Sequence, residues 1–280
     1  MAVPKKMMLT HNALTGAKLS QPIDQLRTGM PAPDSVLATT QDKTEGGASF
    51  TILHTSETDS YEKAPPALRR LQSLKEAPAA ADIQAALAAS KAPTGDNFLG
   101  KDRKAAKLSI GSGTPTKKLA DVASLIKSLS PDASMKKHKP PISKDPTSGR
   151  VKEEQANVHL KAFLYAASRE ADNDFHLIVG QDPKSSTEVY MTMEVSGLPP
   201  TNSPAFAKLN AARTAFKQFF GTNLPGLGYD FYHPPRAVEI EGSIFFDITH
   251  ATGQKPGPPS LKSRMPTIWE IHPISSIKIS

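Results

Sequence analysis

The chain contains no cysteine. That excludes a disulfide framework, a thiolate metal site and a cysteine nucleophile, and it fits a reducing, cytoplasmic location. No stretch approaches about 18 consecutive apolar residues, so neither a transmembrane helix nor a membrane partner is expected. Lys5 and Lys6 followed by Met7, Met8 and Leu9 imitate a secretory leader only briefly, because His11 and Asn12 interrupt the apolar run. Aromatic residues are scarce in one half: of 17, only Phe50, Tyr61 and Phe98 precede residue 151. Aromatic side chains carry much of the buried area of a core. The shortage therefore points to residues 151–280 as the folded part.

Charge divides at the same place. Residues 1–150 hold 22 Lys and Arg against 14 Asp and Glu, whereas residues 151–280 hold 12 against 13. The excess positive charge belongs to the half with the weaker core, which reads as a basic arm rather than a basic folded face. Thirteen prolines and abundant Ala, Ser, Thr and Lys make disorder the default expectation for 1–150. Three local patterns stand out within it. Residues 35–55 read as a weak hairpin around Gly46 and Gly47. Residues 66–90 read as a broken helix, and residues 117–129 as a short amphipathic helix with Leu119, Val122, Leu125, Ile126 and Leu129 on one face. The basic runs at 101–107, 117–118 and 135–144 read as solvated linker, with an anion or nucleic-acid tether as the alternative.

From residue 151 the period changes to two. Strands are predicted over 155–167, 175–180 and 187–195, with Val158, Leu160, Ala162 and Leu164, then Phe175, Leu177 and Val179, then Val189, Met191, Met193 and Val195 facing inward. Ser203 and Pro204 start a helix that ends at Gly221. Two more strands follow at 237–247 and 267–274, with Gly242 at a mid-strand bend. The order β-β-β-α-β-β predicts a mainly β domain, an OB-like five-stranded, partly open barrel over 151–280.

The segments DNDFHLIVG, VEIEGSIFFDITH and TIWEIHPI together resemble a group of uncharacterised bacterial proteins with an OB-like C-terminal domain. The resemblance spans residues 155–280 and implies a fold without naming an activity, substrate or cofactor.

Two groups of residues could carry function. Glu270 and His272 are two apart on the last strand and leave it on one face, opposite Trp269 and Ile271; Asp247 ends the preceding strand and His250 follows it. Two imidazoles and two carboxylates suit Zn²⁺ or Mn²⁺, although their spacing is no specific zinc signature. Asp172, Asp174 and His176 are the further polar positions near the second strand. The other group is a binding face: Tyr165 and Tyr190 point away from the predicted core, and the loop between the last two strands carries Lys255, Lys262 and Arg264. Stacking on such aromatics would favour nucleic acid; packing against the protein's own loops is the alternative. On the sequence alone the leading reading is a non-enzymatic module that contacts a macromolecule, protein or nucleic acid, with no cofactor. The rivals are a metal-dependent hydrolase using the His/carboxylate group and a scaffold with no small-molecule site.

Overall fold

A computed structural model describes residues 29–59, 66–73, 94–252 and 255–280, with a few positions between 79 and 85. The expected arm over 1–28 and most of the expected helix over 74–90 lie outside the described residues.

The fold is a mainly β sheet of eight strands with a few helices. In chain order the elements are β1 (Val36–Lys43), β2 (Ser49–Thr55), α1 (Pro66–Ser73), α2 (Lys104–Lys107), β3 (Lys117–Leu119), α3 (Val122–Ser128), α4 (Asp132–Lys136), β4 (Asn157–Arg169), β5 (Phe175–Gly180), β6 (Tyr190–Val195), α5 (Phe206–Phe220), β7 (Asp230–Phe246) and β8 (Trp269–Ile279). The strand order is β1-β2-β7-β8-β6-β5-β4-β3, and β4 also pairs with β7. Strands β4, β5, β6, β8 and β7 therefore form a closed circuit. All its pairings are antiparallel except β6 with β8, which is parallel.

Alternation along these strands fills the inside of the circuit. Val158, Leu160, Ala162 and Leu164, then Phe175, Leu177 and Val179, then Met191, Met193 and Val195 join Val238, Ile240, Ile244, Phe246, Trp269 and Ile271 in one core. The inward set matches the period-two reading except at Val189, which precedes β6. Phe216 and Phe220 of α5 pack onto the same core, with Phe216 centred 4.6 Å from Phe175. Gly242 sits at the irregularity in the β7–β8 register. A Cβ there would meet Ile271 Cγ2 at 2.4 Å and Pro273 O at 2.6 Å.

The sequence predicts five strands over 151–280 and a weak hairpin over 35–55; among the described residues there are eight strands, the hairpin supplying β1 and β2 and residues 117–119 the unpredicted β3, all three in the half expected to contribute no core. An isolated hairpin is marginal in water. Here β2 is hydrogen-bonded to the start of β7 through Thr51–His54 against Asp230–His233. That pairing also explains why β7 begins at Asp230, seven residues before the predicted strand. Phe50 and Ile52 then reach the main core. Residues 117–129 divide into β3, parallel to the start of β4, and α3. Asp121 caps α3 by accepting from Ser124 N at 2.7 Å, and Val122 and Leu125 are fully buried. The basic run at 101–107 is not all solvated: Arg103 and Lys107 are buried. Among the described residues, no helix is long and apolar enough to cross a membrane.

His54 ties the hairpin to β7. Its Nδ1 lies 2.7 Å from Asp230 Oδ1. Burial pulls the imidazole pKa down, but Asp230 outweighs it and the net shift is upward. The pair therefore contributes fully below the unfolded value of about 6.5, and the contribution is lost as pH rises through the higher folded value. The stability gap between wild type and His54→Gln, measured by urea unfolding, should shrink between pH 5.5 and pH 8.5. A gap that widens with pH would refute this account.

Candidate metal centre

The residues that alternate with the core positions leave the circuit on its outer face. On β5, β6 and β8 these are His176, Thr192, Glu194, Glu270 and His272, with Asp174 immediately before β5. Register brings them together. His176 pairs across from Glu194, and Thr192 lies beside Glu270 in the parallel β6–β8 pair. The outer face of such a circuit is normally wet. Here Asp174, Glu270 and His272 are 0% exposed and Glu194 3%.

The donor atoms of Asp174, Glu194 and His272 all fall within 4.8 Å of one another. His272 Nδ1 is 2.7 Å from Glu194 Oε2 and 3.6 Å from Glu270 Oε2, and His272 Nε2 is 3.5 Å from Asp174 Oδ2. The first of these is a hydrogen bond between the imidazole and the carboxylate, and the two longer ones are not. His272 Nε2, both oxygens of Glu270, Asp174 Oδ2, Thr192 Oγ1 and Ser196 Oγ are buried with no hydrogen-bond partner. Each unsatisfied buried polar atom costs about 1–3 kcal/mol, so this concentration of them is not explained by fold stability. Two donors that each bind a cation at about 2.1 Å lie about 3.4 Å apart at the tetrahedral angle. The 3.5 Å between His272 Nε2 and Asp174 Oδ2 is of that size.

Charge in the cluster is one-sided. Burial, with Asp172 and Glu194 adding to it, pushes the Asp174 carboxyl well up; burial, with Glu194 and Asp247, does the same to Glu270. Burial also lowers His272, which favours the neutral imidazole a metal requires. Lys107 of α2 brings a positive charge to the site, 3.7 Å from Asp172 Oδ2. Burial pulls its ammonium down, but Glu194, Asp172, Asp247 and Asp174 outweigh this and raise it. Arg150 ties β7 to β8, donating to Ile244 O at 2.8 Å and also to His272 O.

His176 belongs to a neighbouring group that is better satisfied. Its Nδ1 sits 2.9 Å from both Asp59 Oδ2 and Glu170 Oε1. Tyr229 Oη donates to Asp59 at 2.5 Å. Burial pushes Glu170 up to about 8, against the pull of His176.

The structure divides the sequence-derived metal set. Asp247, His250 and Glu270 converge within 4.8 Å, with Asp247 Oδ2 3.4 Å from His250 Nε2. His272 instead joins Asp174 and Glu194. Glu194 and Lys107 are absent from that set. Glu194 has a legible signal, an acid flanked by Met193 and Val195 in an otherwise apolar strand; Lys107 sits in a run that reads as linker.

The aromatic binding face is not exposed. Tyr165 and Tyr190 are 4% and 1% exposed and meet edge to face at 4.9 Å. Leu261 and Met265 share their cluster, and Gly29 packs directly against Tyr165. Lys262 Nζ donates to Asp59 O and Arg264 pairs with Glu188, so both serve the protein's own acceptors, while Lys255 is exposed. No family of proteins, no curated protein and no solved structure matches the chain.

Proposed function

We propose that this protein is a cytoplasmic metal-dependent hydrolase, with a divalent cation held by Asp174, Glu194 and His272 on an OB-like barrel. The carrying observation is the concentration of buried, unpartnered donors around His272 and Glu270. A cation coordinates such lone pairs, which have no hydrogen-bond donors to meet them. An oxygen and nitrogen donor set suits Mn²⁺, Zn²⁺ or Mg²⁺. A bound cation of this kind lowers the pKa of a coordinated water and polarises an ester oxygen. The OB-like reading is supported by the circuit order β4-β5-β6-β8-β7, its parallel β6–β8 pair and the helix between its third and fourth strands.

The test is calorimetric titration of the EDTA-treated full chain with Mn²⁺. Binding is expected for the wild type and lost in His272→Ala and Asp174→Asn, both of which should keep the wild-type circular dichroism. Turnover of p-nitrophenyl esters and phosphodiesters that EDTA abolishes would identify the reaction. Absence of stoichiometric binding at millimolar Mn²⁺ removes the proposal.

The second reading is a non-enzymatic module contacting a macromolecule, nucleic acid included. Its support is the run of exposed lysines Lys136, Lys137, Lys139 and Lys144. Binding of single-stranded oligonucleotide that weakens steeply with salt and falls in a variant neutralising these four would favour it.

A further inference from the structure

Among the described residues, Glu270 is the one that touches both donor sets. It is 0% exposed, and neither carboxylate oxygen has a hydrogen-bond partner. Its Oε2 is 3.6 Å from His272 Nδ1, and its carboxylate also lies within 4.8 Å of the donor atoms of Asp247 and His250. A carboxylate with two free oxygens between two sets of donors has the chemistry of a bridging ligand.

The second donor set has the spacing a cation needs. Asp247 Oδ2 and His250 Nε2 are 3.4 Å apart, the separation of two donors at about 2.1 Å and the tetrahedral angle. The other oxygen, Asp247 Oδ1, already accepts from Thr249 N and Oγ1 at 2.8 and 2.6 Å. Those bonds orient the carboxylate with Oδ2 toward His250, as hydrogen bonds around a metal ligand do. His250 is part-exposed, its side chain at 24%, so this side of the cluster is the one nearer to solvent.

Charge points the same way. Asp172, Asp174, Glu194, Asp247 and Glu270 surround Lys107. The acids outnumber the cationic groups near them, Lys107 and His176.

We infer that Asp247, His250 and Glu270 bind a second divalent cation, and that Glu270 bridges it to the first in a two-cation centre. The inference rests on the reading of Asp174, Glu194 and His272 as a cation site. The ligand class is a divalent cation that accepts oxygen and imidazole donors, such as Mn²⁺ or Zn²⁺. Paired cations of this type act as a clamp on the attacking and leaving oxygens of a hydrolysed ester.

The experiment is Mn²⁺ titration of the EDTA-treated full chain, read by calorimetry and by electron paramagnetic resonance. Wild type should bind two Mn²⁺ per chain and show the broadened signal of exchange-coupled ions. Asp247→Asn and His250→Gln should each bind one, with an uncoupled six-line signal and unchanged circular dichroism. One Mn²⁺ in the wild type, unaltered by Asp247→Asn or His250→Gln, overturns the second cation while leaving the first in place. Two Mn²⁺ with no coupling signal overturns the bridge. No bound Mn²⁺ at all overturns both.

Discussion

Replacing Arg103 with alanine should lower the unfolding free energy by about 3–5 kcal/mol, the cost of breaking a buried ion pair by removing one partner. Arg103 is 1% exposed and Glu154 is 0% exposed. The two meet in a fork, with Nη1 to Oε1 and Nη2 to Oε2 both at 2.7 Å. Arg103 also donates to Gly149 O at 2.9 Å, and its guanidinium lies 4.7 Å from the centre of the Phe245 ring. Glu154 accepts from Val151 N and Phe246 N at 2.9 and 3.0 Å. Without Arg103 the carboxylate keeps two amide donors but loses its bidentate countercharge, deep in the fold. Urea unfolding at pH 7 should show a lower midpoint with an unchanged slope. Arg103→Lys should recover only part of the loss, because an ammonium cannot make the bidentate pair. A loss under about 1 kcal/mol in Arg103→Ala would show that the pair contributes little, well short of the usual cost of a broken buried pair.

Glu270→Gln should have the opposite effect on the metal-free protein and stabilise it, by about 1.4 kcal/mol for each pH unit above the unfolded carboxyl value until the folded value is reached. Burial, and then Glu194 and Asp247, push the Glu270 carboxyl well above its ordinary value. The folded chain therefore holds a proton there that the unfolded chain releases near about pH 4.3. Stability in EDTA is thus greatest below that value and falls as pH rises toward the folded value. Glutamine does not titrate, so the advantage of the variant should grow from pH 5 to pH 8. With saturating Mn²⁺ the order should reverse, because a ligand that binds only the folded chain adds about 2.7 kcal/mol at a hundredfold excess over its Kd, and the variant lacks the bridging carboxylate. A Glu270→Gln variant less stable than wild type in EDTA across this range would show that the carboxylate is structural. Stability given up at one residue in exchange for ligand affinity is the usual mark of a functional site.

Much of the circuit is legible in the sequence. Period-two alternation identifies all five of its strands and their inward faces, because side chains on a strand must alternate and one face must be apolar. The pairs Asp174/His176 and Glu270/His272 are legible for the same reason. Boundaries are less so. Strand β7 begins at Asp230 only because β2 supplies its hydrogen-bonding partner there, a pairing remote in sequence. The hairpin at 36–55 reads as weak because its own sequence is weak; what stabilises it is β7.

Residue type and spacing alone determine which side chains share a face: Glu270 with His272, Asp174 with His176, Glu194 with Thr192. Tertiary structure decides which of those faces meet. The parallel β6–β8 pairing sets Glu194 and Asp174 around His272, where sequence proximity groups His272 with Asp247 and His250. It also decides what covers them. Arg103 and Lys107 belong to a basic run that looks solvated in sequence. In the fold they are buried, Arg103 paired with Glu154 and Lys107 beside Asp172. Alternation is a property of a single strand and is written locally. Strand order, register and burial arise from contacts between segments far apart in the chain, and no local pattern encodes them.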